Sequence, residues 1–247
     1  MTVALVHGNP ETAAIWGPLR DALGRTDVIA LSPPGFGAPV PTGFTATSDA
    51  YLQWLVEEVS HLPGPVDLIG HDWGGGHVVR LAVEQPDLIR SWCTDIAGVF
   101  NHDYVWHDAA QGWQSPAGED HVQALVDAPR ETLADRFAEL GMGPDVAAAV
   151  VPHIDQDMAR CILALYRSAA QPVVGQIGDR LADARANPGL VVIATEDHYT
   201  GGEALHRRAA ERAGAEVAVL DGLGHWWMCE DPGRGAALIG AWLEQFD

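Results

Sequence analysis

Gly70-His71-Asp72-Trp73-Gly74 joins an apolar strand pattern, Val66 to Ile69, to a helical pattern, Gly74 to Glu84. Small residues two positions either side of a central nucleophile mark a sharp strand-to-helix turn. The central residue takes strained backbone geometry there, and its flanks must be small for strand and helix to approach. In this chain the central residue is Asp rather than Ser. A carboxylate attacking an ordinary ester gives an unstable anhydride with little gain. Attack on saturated carbon instead gives an alkyl ester of Asp72, whose carbonyl is then open to water activated by a His base. The carboxylate is ionised at neutral pH and favoured by the adjacent helix N-terminus, so a base is needed only in the second step. Taken alone, the same five residues also read as a loop in which Asp72 caps the following helix.

Three further segments bear on that choice. His7-Gly8-Asn9-Pro10 ends the first strand pattern in a turn that can aim the Asn9 amide N–H at an oxyanion, with the Trp73 N–H as second donor. Ala194-Thr195-Glu196-Asp197 places carboxylates at a strand C-terminus, where one could orient an imidazole; Asp95, near the end of another strand, is the alternative. Gly222-Leu223-Gly224-His225-Trp226 supplies a lone His after glycines. His71, His77, His107 and His198 have the bland reading of hydrogen-bonded structural histidines, with His71 also a candidate for the pocket.

Six short apolar runs read as buried parallel strands: Val3 to Val6, Val28 to Leu31, Val66 to Ile69, Trp92 to Ala97, Leu190 to Ala194 and Val217 to Leu220. Helical spacing over Thr12 to Leu23, Ser48 to Leu62, Gly74 to Glu84, Glu203 to Ala213 and Gly233 to Phe246 alternates with them, which argues a doubly wound α/β sheet. In such a sheet ligands sit beyond the strand C-termini where strand order reverses, and the loops after the first and third strands flank that point. Roughly ninety residues separate the fourth and fifth strands, several times what one crossover helix needs. The stretch from Val99 to Gln171 holds helical patterns over Gly118 to Val126, Glu131 to Leu140, Asp145 to Val151 and Asp155 to Ala170. It reads as a helical lid (99–171) over a core formed by 1–98 and 172–247. Tyr104, Trp113 and Tyr166 of the lid, with Trp226, are candidates for the pocket wall.

Of 247 residues, 47% are apolar and 19% charged, enough for a full core in one domain. Fourteen basic residues, all Arg, oppose thirty-four acidic ones, for a net charge of -20. That balance excludes a nucleic-acid footprint and disfavours strongly anionic ligands, so a small neutral organic substrate and water are the expected partners. No apolar window approaches a membrane span and no leader precedes the first strand, which reads as a soluble, cytoplasmic protein. Cys93, Cys161 and Cys229 are too widely spaced for a disulfide framework or a zinc site and read as buried thiols.

HGNP with Trp16 beyond it, GHDWGG at 70–75, ATED at 194–197 and GHWWMCEDP at 224–232 occur in the order nucleophile, acid, base. In these motifs the chain resembles the α/β-hydrolase superfamily, specifically its Asp-nucleophile branch of epoxide hydrolases and haloalkane dehalogenases. The resemblance covers nearly the whole chain. It implies an α/β-hydrolase fold, Asp72 as nucleophile, Asp197 rather than Glu196 or Asp95 as the acid orienting His225, and no metal or organic cofactor. The antiparallel hairpin that usually precedes the HGxP strand in that superfamily has no room here. The expectation is therefore six parallel strands with Val28 to Leu31 at an edge, where an unpaired ladder leaves monomer and homodimer both open.

The two chemistries of that branch differ in the departing atom. An epoxide oxygen needs a proton or a strong hydrogen bond, which a lid phenol can give. A halide needs only weak donors, and the Asn9 amide with the Trp73 indole N–H resembles a halide cradle. Tyr166, in Leu165-Tyr166-Arg167, resembles the second lid tyrosine of epoxide hydrolases. The position of the first, near Gly112 or Trp113, holds no Tyr, leaving Tyr104 as a substitute or Tyr166 alone. Ordinary packing in the lid helix is the competing role for Tyr166. An epoxide hydrolase is the preferred reading, with a haloalkane dehalogenase next. The reading from another class is a non-catalytic ligand-binding or biosynthetic protein on the same scaffold.

Overall fold

The computed structural model describes residues 1–246. Six strands, β1 (Thr2–Val6), β2 (Val28–Leu31), β3 (Val66–Gly70), β4 (Ser91–Thr94), β5 (Gly189–Ala194) and β6 (Glu216–Leu220), form one sheet in the order β2-β1-β3-β4-β5-β6. Every pairing is parallel. Helices cover both faces, so β1, β3, β4 and β5 are buried throughout, as their mostly apolar sequences require; the buried polar Asp67 of β3 is met by Arg90 and Ser91. The edge strands β2 and β6 are only partly buried. Strand order reverses between β1 and β3, where Val6 pairs with Gly70, so the turns after both strands open side by side.

Helical patterns become helices at nearly the expected limits: Ser48–Ser60, Trp73–Glu84, Gly202–Ala213 and Pro232–Leu243. The first is split, because Ala13–Trp16 is a 3₁₀ turn that Thr12 caps, and the α-helix proper runs over Gly17–Leu23. β4 ends at Thr94, short of the expected Ala97. The Ile96 amide turns back to Thr94 Oγ1 at 3.3 Å, and the chain enters a 3₁₀ turn over Ala97–Phe100.

Between β4 and β5 lie the helices Asp108–Gln114, Gly118–Asp127, Arg130–Phe137, Pro144–Val150 and Gln156–Ser168. The expected helix from Glu131 to Leu140 forms, as an α-helix over Arg130–Phe137 that widens into a π-turn over Ala138–Met142, and Gly141 leaves helical geometry at φ 110°. Gln156–Ser168 starts where Asp155 accepts the Met158 amide at 3.0 Å, and it buries Met158, Cys161, Ile162, Leu165 and Tyr166, a stripe at helical spacing. No helix among the described residues is long and apolar enough to cross a membrane.

The helix after β3 can lie against β1 only because Gly74 has no side chain: a Cβ there would sit 2.1 Å from the Val6 carbonyl oxygen. Gly74→Ala is expected to lower stability by about 1–3 kcal/mol, the range for overpacking. Gly17→Ala, where nothing lies within 4 Å, is expected to be neutral or stabilising. Urea midpoints of the two variants check this pair.

Candidate active site

Asp72 follows β3 with φ 47° and ψ −133°, and among the described non-glycine residues only Ala46 shares its positive φ. Such a backbone persists only where its surroundings hold it. Here the Asp72 amide donates to Asp95 Oδ1 at 3.0 Å, and the Asn9 amide donates to Asp72 Oδ2 at 3.0 Å. A Cβ on Gly8 would come within 2.1 Å of that same oxygen, so the turn after β1 must be glycine for the carboxylate to lie there. The Asp72 side chain does not cap the helix that follows; it faces the turn after β1 instead. Trp73 opens that helix, so its amide lacks an intrahelical partner.

His225 Nδ1 donates to Asp197 Oδ2 at 2.9 Å, and Asp197 Oδ1 accepts the Tyr199 amide at 2.8 Å. The imidazole is thereby held with Nε2 free for proton transfer. Asp197 is buried. Glu196 is exposed and among the described residues its side chain approaches only His198, and Asp95 is committed to Asp72 and His71.

Beneath these groups lies a chain of charge that the motif reading overlooked. His71, wholly buried, donates from Nδ1 to Asp95 Oδ2 at 2.6 Å and from Nε2 to Glu11 Oε1 at 3.1 Å. Glu11, equally buried, also accepts the Gly8 amide at 3.1 Å and the Trp226 indole at 2.5 Å, and its Oε1 lies 3.9 Å from His225 Nε2. Asp95 Oδ2 takes the Trp227 indole at 2.8 Å. Glu11 stands directly after Pro10. The signal available in sequence was its spacing from Gly8, three residues as in a capping turn, but no neighbour in the chain marks it as buried.

Burial opposes charge on each of these groups, and partners decide the outcome. For His71, the carboxylates of Asp95 and Glu11 outweigh burial and raise its pKa well above 6.5. For Glu11, burial is outweighed chiefly by His71, and the carboxyl sits at about 2. For Asp197, burial is outweighed by the charge and hydrogen bond of His225, again to about 2, while Asp197 overcomes burial to raise His225. Asp72 is the exception, because burial wins. Helped by the Glu11 charge and resisted by His225, burial lifts its carboxyl to about 6.

A cavity of about 360 Å³ opens onto Asp72 and His225. Asn9, Tyr199 and Trp226 line it from the sheet side; His107, Trp113, Leu133, Phe137 and Tyr166 line it from the helices between β4 and β5. Tyr166 has Trp73, Trp106 and Trp113 edge-on at 5.3, 5.6 and 4.8 Å. Burial, reinforced by the Asp72 charge, raises its hydroxyl well above 10, and it shares a hydrogen-bonding contact with Trp73. The Asn9 side-chain amide is buried with neither its oxygen nor its nitrogen partnered among the described residues.

Two expected pocket residues do not reach the cavity. Tyr104 spends its hydroxyl on the Tyr199 carbonyl at 2.6 Å, and His71 lies below the floor with both ring nitrogens engaged. Trp73 stacks on Trp106 at 5.9 Å and lies beside Tyr166, outside the lining. His107 does line it. Its Nδ1 accepts the Ala110 amide at 3.4 Å, and burial first, then His225, lower its pKa to about 4, which leaves a neutral ring with an Nε2–H donor. Among the described residues, Glu11, His71 and His225 bring one potential metal-ligand atom each within 4.8 Å of one another. A doubly hydrogen-bonded imidazolium at His71 has no lone pair to give, so this grouping fits a hydrogen-bonded relay better than a metal centre.

The Alpha/beta hydrolase family model matches residues 3–238. A 2-hydroxymuconate semialdehyde hydrolase from Pseudomonas sp. (strain CF600) is 26% identical over 98% of this chain and 87% of its own length. A pimeloyl-[acyl-carrier protein] methyl ester esterase from Neisseria meningitidis is 28% identical over 90% of this chain and 70% of its own. Among solved structures, DBJA superimposes with a TM-score of 0.76 at 17% identity, over 99% of this chain and 90% of the other. The enol-lactonase from Burkholderia xenovorans LB400 gives 0.72 at 17%, over 98% and 90%. At such identities the structural likeness speaks for the fold alone.

Glu11 raises the Asp72 pKa and His225 lowers it. Carbon-13 NMR titration of the Asp72 carboxyl is therefore expected to show a midpoint near 6 that falls in Glu11→Gln and rises in His225→Gln. Unmoved midpoints in both variants would contradict this electrostatic account.

Proposed function

Since the chain belongs to the alpha/beta hydrolase family, we propose that this hydrolase works through a covalent alkyl ester of Asp72 and opens small epoxides to diols. One observation carries the reading. A carboxylate occupies the left-handed turn after β3, with one oxygen bound by the Asn9 amide, in a cavity that it shares with the His225 imidazole and the Tyr166 hydroxyl. A carboxylate in that place suits attack on saturated carbon and is a poor substitute for an alkoxide at an ester.

In the first step Asp72, ionised above about pH 6, attacks the less hindered ring carbon. The C–O bond breaks as the ring oxygen takes the Tyr166 proton, and the product is a hydroxyalkyl ester. Tyr166 holds that proton at neutral pH, as burial beside Asp72 requires, and it regains one from solvent. His107, neutral and lining the cavity, is a further donor on the same wall. In the second step His225 Nε2 removes a proton from water, and the oxygen adds to the ester carbonyl. Glu11, whose Oε1 lies 3.9 Å from Nε2, places its negative charge beside the imidazolium that forms. The Asn9 and Trp73 amides hold the tetrahedral oxyanion until the C–O bond to the substrate breaks, His225 returns its proton, and the diol leaves. The balance is epoxide plus water to diol.

A haloalkane dehalogenase is the second reading, favoured by the Asn9 side chain. Its amide is buried, unpartnered and lining the cavity, so its Nδ2–H could hold a departing halide. The Trp73 indole supports this less, since it engages Tyr166 and lies outside the lining.

Intact-mass spectrometry of His225→Gln is expected to show an adduct of the whole epoxide mass, because the ester forms and is not cleaved. A bromoalkane that adds its alkyl part, with no epoxide adduct, would transfer the assignment to dehalogenation. Asp72→Asn is expected to abolish either adduct. Tyr166→Phe is expected to slow epoxide opening by roughly 10²-fold or more, the usual contribution of a general acid, without affecting attack on a bromoalkane.

A further inference from the structure

The cavity that meets Asp72 and His225 is also lined by Arg136, an exposed residue of the helix Arg130–Phe137. Among the described residues every arginine except Arg20 and Arg136 pairs with a carboxylate or donates to a backbone carbonyl. In a chain with thirty-four acidic residues, an unpaired guanidinium at the cavity is an exception. Asp135 and Glu139 are close in sequence and exposed, yet neither lies within ion-pair distance of it. The same wall carries the apolar Leu125, Leu133, Phe137 and Leu140, and the polar lining includes Asp72, His225, Asn9 and Tyr166 together with His107, His121 and Tyr199.

We propose that the cavity takes an amphipathic acid, with its carboxylate on Arg136, its hydrocarbon chain along Leu125, Leu133 and Phe137, and its electrophilic carbon at Asp72. The last element rests on the covalent reading given above; the first two do not. A planar guanidinium offers a carboxylate paired N–H donors, and apolar walls select the chain. The net charge of -20 argues against anions at a distance, but charges on the far surface are screened beyond roughly 10 Å, while the contact at Arg136 is local.

The test uses two pairs of probes. Octanoate and 1-octanol, neither able to react, report binding by titration calorimetry; 7,8-epoxyoctanoate and 1,2-epoxyoctane report turnover and KM. Wild-type protein is expected to bind octanoate more tightly than 1-octanol. Arg136→Gln is expected to weaken octanoate roughly two- to five-fold, the range of an exposed ion pair, and Arg136→Glu to weaken it further. Neither change should alter 1-octanol binding, and Arg20→Gln, an equal loss of charge elsewhere, should alter neither ligand. Octanoate binding indifferent to Arg136→Gln, or weakened equally by Arg20→Gln, overturns the acid site. Loss of octanoate preference in Arg136→Gln with no turnover of either epoxide upholds the acid site and removes the covalent reading. Turnover of both epoxides with KM values unchanged by Arg136→Gln does the reverse.

Discussion

A carboxylate must remain charged at Asp72 while the surrounding chain keeps water away from it, and most of the site can be read as the solution to that conflict. Burial alone would neutralise the group. One backbone amide from Asn9 and the field of His225 pull the other way, and the result is a pKa near 6, a carboxylate ionised at neutral pH but thinly solvated. The relay below is solved differently. His71 and Glu11 keep their charges despite full burial because they bind one another and His71 also binds Asp95, with two indoles and two backbone amides as further donors to the carboxylate oxygens.

The same residues fix the backbone. Asp95 accepts the Asp72 amide with one oxygen and His71 with the other, so the end of β4 ties down the strained turn after β3. That explains why β4 stops at Thr94. Asp95 has to leave the ladder to reach across, and its own carbonyl is taken by His206 at 2.8 Å, from the helix Gly202–Ala213. Strain at one residue is thereby held by contacts spread over three strands and two helices.

Those contacts also explain what could be read in advance. Asp72, Asp197 and His225 each follow an apolar strand run, and turn glycines announce two of them, so strand pattern and motif agree on their place. Glu11 offers no such cue. Its burial is produced by Trp226, 215 residues away, and by His71, and a Glu after Pro10 looks like any surface residue. Tyr104 stands in the sequence as a substitute for a missing lid tyrosine, and only the fold shows that its hydroxyl is consumed by the Tyr199 carbonyl, whereas Tyr166 lines the cavity together with Asp72. The helix Asp108–Gln114 escaped notice because it buries only Ala110 and Trp113 and contains Gly112, too short a stripe for periodicity to register.

Reciprocal electrostatics also give the proposed reaction an internal order. The Asp72 charge is one of the influences that raise the His225 pKa, and the His225 charge is one that lowers the Asp72 pKa. In the free site the two favour the ion pair, which keeps the nucleophile ionised and holds a proton on the imidazole. Esterification removes the negative charge from Asp72. The support for His225⁺ falls at that moment, its proton is shed more readily, and Nε2 becomes a base just when a carbonyl has appeared for water to attack. Asp197 and the relay keep the ring in place throughout, since neither changes charge in the first step. A serine at position 72 would reverse this logic, because its hydroxyl needs a neutral imidazole before attack. In the proposed mechanism the choice of Asp therefore sets both which carbon is attacked and when His225 is required.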